Sequence, residues 1–163
     1  MKRLRKHIAR LKGCDAGGPV VEFAIVLPLI LLFIAIIIEG GRITWIYQSA
    51  AAGVRDASRM VARIAPIDLC PAGSVAGYDA MVTDIVENRL NGPSVIPGGA
   101  TLLDVIPVLH TRTGAYRIDP TCVVEVRAQV QIDYIFGGVF GWFGNPLGPV
   151  VTEVADQSRI FGV

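Results

Sequence analysis

The clearest hydrophobic feature of the chain is one long apolar run, FAIVLPLILLFIAIII, which extends from Phe23 to Ile38 without a charged residue. In a helix that rises about 1.5 Å per residue, such a run covers roughly 24 Å of a hydrocarbon core about 30 Å thick. Adding Val20 and Val21, or the residues from Ile43 to Tyr47, completes the span. The pattern predicts one transmembrane helix over about residues 20–41.

A helical stripe of apolar residues follows the span at steps of three and four. It consists of Ile43, Ile46, Ala50, Val54, Ala57, Val61 and Ile64. This spacing places the stripe on one helix face, and Pro66 favours an end near Ala65. We therefore predict a single helix over residues 18–65. Arg55, Arg59 and Arg63 repeat on another face, either as a solvated surface or as a contact to lipid or another subunit.

Residues 66–163 have the pattern of a small α+β domain with an antiparallel sheet. Helical spacing covers Tyr78–Leu90, and strands are predicted over Thr101–His110, Cys122–Phe136 and Val150–Ile160. The second strand alternates apolar residues with polar ones, which is typical of a half-buried strand. Thr113-Gly114 indicates a hairpin between the first two strands.

Charge separates a basic leader from the rest of the chain. Residues 1–17 carry six Lys or Arg and one Asp, a net charge of +5, whereas residues 18–163 carry nine Arg and thirteen acids, a net charge of −4. Basic residues beside a span remain on the cytoplasmic side, so the C-terminal domain is predicted to be extracytoplasmic. A leader of this kind is a topology signal more often than a nucleic-acid-binding segment.

The three cysteines fit an exported domain. Cys14 lies in the leader, and removal of the leader would leave Cys70 and Cys122 as one pair in an oxidising compartment. Such a pair could form a disulfide that closes a loop of about fifty residues and stabilises the domain by roughly 2–4 kcal/mol. The sequence leaves open the alternative of two unpaired, partly buried thiols.

The sequence contains no motif that predicts catalysis or a cofactor. The His residues are His7 and His110, there is no CxxC pair, and no Lys follows Lys12. Phosphate loops and metal sites need such residues at defined spacings. Acids on the predicted helix, Asp79, Asp84 and Glu87, are typical of a solvated face. We expect a non-enzymatic protein without metal or another cofactor.

Small residues lie before the apolar run, whereas a secretory signal is cleaved after its apolar core. Cleavage at Gly17-Gly18 would remove the leader and keep the hydrophobic helix. The segment GGPVVEF at 17–23 resembles the prepilin-peptidase site of the Flp/Tad branch of type IV pilins, in which a Gly is followed by four residues and then Glu and an aromatic. Residues 17–63 resemble the TadE-like pseudopilins in their VEF sequence, the Pro in the span, an acidic-Gly-Arg turn at Glu39–Arg42 and an Ala/Arg-rich helix. Pro19 stands where Ala or Thr is more usual.

The resemblance implies a pilin-like layout and specific roles for several residues. Cleavage would occur between Gly17 and Gly18, and Glu22 with Phe23 would act in subunit assembly, Glu22 meeting the N-terminus of a neighbouring subunit. The residues alone also permit a solvated end charge for Glu22, favoured by the helix dipole. Pro28 permits a kink, either a fixed bend or a point of unwinding.

The uncharged, Gly-rich segment 136–149 has two interpretations. Its apolar residues could form an exposed patch for a partner subunit or a membrane surface. They could equally belong to a loop folded over the sheet.

Two functions remain open from the sequence. The first is a minor pseudopilin of a Tad-type pilus or secretion system, held in the bacterial inner membrane with its N-terminus cytoplasmic and cleaved after Gly17. Its partners would be the prepilin peptidase, other pilins and pseudopilins, the Tad assembly platform and membrane lipid, with no nucleic acid. The second is an uncleaved, single-pass, membrane-anchored binding or scaffold protein.

Overall fold

The computed structural model describes residues 17–88, 92–141 and 144–161. Its architecture is α+β, as the sequence predicts: a long N-terminal helix precedes a small domain with a three-stranded antiparallel sheet. The helices are α1 (Gly18–Ile64), α2 (Leu69–Ala72), α3 (Asp79–Asn88) and α4 (Gly137–Phe140), and a 3-10 turn covers Ala76–Tyr78. The strands are β1 (Ala100–Arg112), β2 (Thr121–Ile132) and β3 (Val150–Arg159).

The first of two units ends at Ile38 and contains the apolar part of α1. Most large apolar side chains between Val20 and Ile38 are exposed, among them Phe23, Leu31 and Ile37. Helix α1 is long and apolar enough to cross a membrane. A helix that is apolar all round is suited to lipid or to packing among other helices rather than to water.

The second unit starts at Glu39 and is built on the sheet, in the order β1-β2-β3. Ala128 of β2 pairs with Val105 of β1 and with Val154 of β3. A bulge between Leu102 and Asp104 shifts the register near the start of β1. Because β2 is central, its inward residues are covered most completely.

The core of the second unit lies between α1, α3 and one face of the sheet. Val54, Ala57 and Val61 of α1 belong to the same buried cluster as Val124 and Val126 of β2. Gly53 allows α3 to approach, because a Cβ atom at Gly53 would lie 3.0 Å from the Val86 Cα. The apolar stripe of the sequence is thus the face that packs on the sheet.

Two local predictions are wrong. Residues Glu39–Arg42 form no turn, because α1 continues through them, and the side chains of Glu39 and Arg42 pair across one helical turn. β2 ends at Ile132 rather than Phe136. The backbone beyond it leaves the ladder to bond α1, with the Asp133 carbonyl accepting from Arg42 and the Phe136 N–H donating to Glu39.

Candidate functional site

The predicted cleavage position lies at the start of α1. The helix begins at Gly18, and Gly17 and Gly18 are both exposed. A methyl group added at either glycine would meet no other atom within 4 Å. The backbone at this junction is thus not covered by the described residues. Residues 1–16 lie outside the described residues. Cleavage between Gly17 and Gly18 stays a prediction.

The predicted assembly residues lie in the first turns of α1. Glu22 and Phe23 are both exposed. Pro28 lies inside α1, and the helix continues on both sides of it. The geometry leaves Glu22 and Phe23 free to meet a neighbouring chain, a role that stays a prediction.

A buried ion pair stands immediately after the apolar run. Glu39 is only 4% exposed, and its Oε1 accepts from the Arg42 Nε at 3.1 Å. The other carboxylate oxygen accepts from the Phe136 N–H at 3.3 Å. A buried charge needs a partner of this kind, since desolvation of an unpaired carboxylate is costly. We call Glu39 and Arg42 the clamp.

The clamp holds together three distant parts of the second unit. Arg42 donates from Nη1 to the carbonyls of Gly98 and Gly99, both at 3.3 Å, and from Nη2 to the carbonyl of Asp133. Gly99 has a left-handed φ of 82°, and a Cβ atom there would lie 2.5 Å from the Arg42 Nη1. The five donors of a guanidinium suit it to such a cluster of carbonyls. Sequence reasoning singled out Glu39–Arg42 as a turn and missed this contact, whose only local signal is an acid and an Arg three residues apart.

Cys70 and Cys122 are brought together at the other end of the sheet. They form a disulfide with an S–S distance of 1.98 Å and a Cα–Cα distance of 5.5 Å. Cys122 is buried in the main core cluster, and Cys70 packs against that cluster. The bond joins α2 to β2 across 52 residues of chain.

The face of the sheet turned away from α1 carries a polar triad. Glu125 lies on the polar face of β2, yet it is only 6% exposed, so this face is not fully solvated at Glu125. It is covered by its own partners: Arg127 donates from Nε to Oε1 at 2.9 Å, and the His110 ring pairs with Oε2. His110 is a strand residue on β1, as expected. The hydrogen bond from Arg127 holds the pKa of Glu125 below its usual value; burial opposes this shift, and the contact with His110 adds to it.

This triad predicts a loss of stability in acid. A carboxyl group whose pKa is lower in the folded chain stabilises the fold above its unfolded pKa of about 4.3, and the contribution disappears as the pH falls through the folded value. Glu125→Gln should therefore flatten the decrease in melting temperature between neutral pH and about pH 3.5. Thermal unfolding followed by circular dichroism measures it. Glu87→Gln, at an exposed residue of α3, is the control; equal acid sensitivity in both variants would contradict the prediction.

The Gly-rich segment 136–149, which the structure describes except for 142 and 143, combines exposed and partly buried residues. It contains α4, and the Leu147 N–H donates to the Gly137 carbonyl at 3.2 Å. Gly137 is buried against Leu147, whereas Leu147 itself is among the exposed apolar residues. The backbone is folded on itself while several apolar side chains face outward.

Among the described residues, no group of three or more His, Cys, Asp or Glu side chains is placed to hold a metal ion. Asp79 and Glu87 are exposed on α3, and Asp84 accepts from the Asn88 amide at 3.3 Å. Arg55, Arg59 and Arg63 are exposed on α1. Asp79, Glu87 and the three arginines thus lie on exposed, charged faces of α3 and α1.

The comparison with protein families agrees with the features of α1. Residues 20–59 match the TadE-like protein family. The TadE-like match contains the exposed apolar run, Glu22, Pro28 and the clamp, and it confirms the resemblance over this part of the chain. The TadE-like family is associated with the Tad pilus, so the match supports a Tad pilus-associated protein with an N-terminal helix that could anchor it in a membrane. No curated protein and no solved structure matches the chain.

Proposed function

We propose that this protein is a minor pseudopilin of a Tad-type pilus or secretion system. Residues 1–17 are a leader that a prepilin peptidase removes after Gly17. Residues 18–65 form the N-terminal helix, with a transmembrane span over about 20–41, and residues 66–163 form the extracytoplasmic domain. The protein assists pilus assembly, adhesion or secretion together with other pilins and the assembly platform of the inner membrane.

The observation that carries this proposal is the exposed apolar part of α1 inside the TadE-like match. Burial of apolar surface is favourable by about 25 cal/mol per Å², so an exposed stretch from Val20 to Ile38 requires a covering environment. Lipid supplies that environment before assembly, and the helices of neighbouring subunits supply it in a filament. The same surface thus suits a subunit that is stored in a membrane and later packed among helices.

The position of Glu22 supports the assembly step. It lies in the second turn of α1, directly before the uncharged run, where a carboxylate without a partner is unfavourable in lipid or in a helix bundle. Cleavage after Gly17 creates a positively charged amine on Gly18. The amine of a neighbouring chain then neutralises Glu22, and Phe23 packs beside it. Before cleavage, the basic leader holds the N-terminus in the cytoplasm.

Intact-mass measurement of the full chain, expressed with and without a Tad-type prepilin peptidase, tests the proposal. We expect a peptidase-dependent loss of the mass of residues 1–17 and a new N-terminus at Gly18. Gly17→Val should abolish the loss, whereas Gly13→Val, the same change within the leader, should not. Pro19→Ala should increase the cleaved fraction.

A chain that keeps Met1–Gly17 with the peptidase present, also in the Pro19→Ala variant, would overturn the proposal. That outcome would favour the uncleaved, single-pass, membrane-anchored binding or scaffold protein.

A further inference from the structure

The second unit has an uncharged surface at the end of the sheet that the clamp holds. Nineteen consecutive residues, from Tyr134 to Thr152, contain no Asp, Glu, Lys or Arg. Their exposed large side chains in the described residues are Ile135, Leu147, Val150 and Val151. Ile135 is the most exposed of the four, at 64%. We call the described residues of this stretch as far as Val151, which are 134–141 and 144–151, the basal segment.

Direct contacts tie the basal segment to the residue that follows the apolar run. The Phe136 N–H donates to Glu39, and Arg42 bonds the Asp133 carbonyl just before the segment. Val150 at its other end pairs with Ile132, the last residue of β2. Glu39 is the first residue of the second unit and directly follows the apolar run in the sequence. The basal segment is therefore bonded to the residue at which the apolar run ends.

The opposite end of the same sheet has a different character. The connection 113–120 follows β1, whose thirteen residues extend about 40 Å at roughly 3.3 Å per residue. That end carries Arg112, Arg117 and Asp119. Large exposed apolar residues occur at that end too, among them Ile118 and Phe161. There they stand among charged side chains, whereas the basal segment has none.

We propose that the basal segment is a second membrane contact, which rests on the surface of the lipid bilayer that α1 spans. This inference rests on the membrane anchor in the proposed function. Once α1 spans a bilayer, the clamp keeps the basal segment close to the chain that enters the lipid. The second contact is then intramolecular, so the effective concentration of lipid at the basal segment is high. Aromatic and aliphatic side chains without charge are suited to the region between head groups and acyl chains, where Trp and Tyr are also enriched. Exposed Trp45 and Tyr47 follow the clamp within two turns of α1.

With this contact, the clamp would also restrict the orientation of the domain on the membrane. A single helix leaves a domain free to tilt and rotate about its anchor, whereas a second contact restricts both motions. The domain of a stored subunit would then be held in one orientation towards the assembly platform. Leaving the membrane for a filament would require the release of both contacts.

Quenching of Trp fluorescence by brominated lipid tests the contact on the full chain. The background is Trp45→Phe with Trp142→Phe, which removes both Trp residues of the sequence. Single Trp residues are then introduced by Ile135→Trp, Leu147→Trp, Phe33→Trp in the apolar run, or Tyr116→Trp at the far end of the sheet. Tyr116 is 49% exposed and is the matched control. Each variant is reconstituted in vesicles of phosphatidylcholine with a minority of phosphatidylglycerol, with bromine either near the head group or near the end of the acyl chain.

We expect bromine near the head groups to reduce the emission of the Ile135→Trp and Leu147→Trp variants by about half, because an interfacial contact lies at that depth. The emission of the Tyr116→Trp variant should not change. Bromine deep in the bilayer should quench the Phe33→Trp variant most. If Phe33→Trp is quenched while Ile135→Trp and Leu147→Trp resemble Tyr116→Trp, the second contact is wrong and the anchor stands. A Phe33→Trp variant that is not quenched would overturn the anchor as well. Emission at position 135 that ignores the lipid but shifts to the blue with protein concentration would indicate a contact between chains and would also overturn the inference.

Discussion

Arg42→Ala should destabilise the second unit by about 3–5 kcal/mol, the usual effect of removing one partner from a buried ion pair. The substitution leaves Glu39 buried with only the Phe136 N–H as a described partner. It also removes the donors from the carbonyls of Gly98, Gly99 and Asp133. Urea unfolding of the full chain in detergent, followed by circular dichroism, measures the loss.

Three comparisons show whether the loss comes from the clamp. Arg59→Ala changes an exposed Arg on the same helix and should cost no more than about 0.5 kcal/mol. Arg42→Lys should recover part of the stability, because an ammonium group retains the charge but not the planar fork. The double variant Glu39→Met with Arg42→Met should lose less than the sum of Glu39→Ala and Arg42→Ala, since no buried charge is left alone. A loss in Arg42→Ala as small as that in Arg59→Ala would contradict the role of the clamp.

Reduction of the Cys70–Cys122 disulfide should lower the free energy of unfolding by about 2–4 kcal/mol. The bond joins residues 52 apart, so it removes much of the conformational freedom of the unfolded chain around β1 and the start of β2. The melting temperature of the full chain in detergent, with and without dithiothreitol, measures the effect.

Two variants isolate the bond from other effects of the reductant. Cys14→Ala should respond to dithiothreitol as the unsubstituted chain does. The double variant Cys70→Ala with Cys122→Ala should be less stable at the start and insensitive to the reductant. A chain that melts at the same temperature in both conditions would rule out a stabilising disulfide.

The sequence predicts helix α1 well because its signals are local. An uncharged run and a stripe at steps of three and four specify a helix whatever it packs against, and Pro66 limits it on the C-terminal side. The structure ends α1 at Ile64, one residue before the predicted end. The alternation of β2 is equally local, and the inward residues from Val124 to Ile132 are buried as expected.

The polar contacts are less accessible to sequence reasoning because each depends on residues far apart in the chain. Ser58 donates to the Asp156 carboxylate at 2.8 Å across 98 residues. Glu125 reads as a solvent-facing residue in the alternating pattern, yet His110 on the neighbouring strand covers it. The His110–Glu125 pair follows from strand register, which a single strand pattern does not specify. The Ser58–Asp156 pair joins α1 to β3 and depends on how the helix packs on the sheet.

The amino-acid sequence by itself determined the apolar helix, the basic N-terminal segment, the α+β class and the likeness to TadE-like proteins, because these depend on composition and short-range periodicity. Tertiary structure alone decided that Glu39 and Arg42 are a buried clamp, that β2 ends at Ile132, and that the basal segment is bonded to Glu39. The physical reason is that a buried charge is stable only where polar groups bond it, and β2 ends where its following backbone bonds the clamp instead of a strand. Here those groups are backbone carbonyls and an N–H 56 to 97 residues away in the chain.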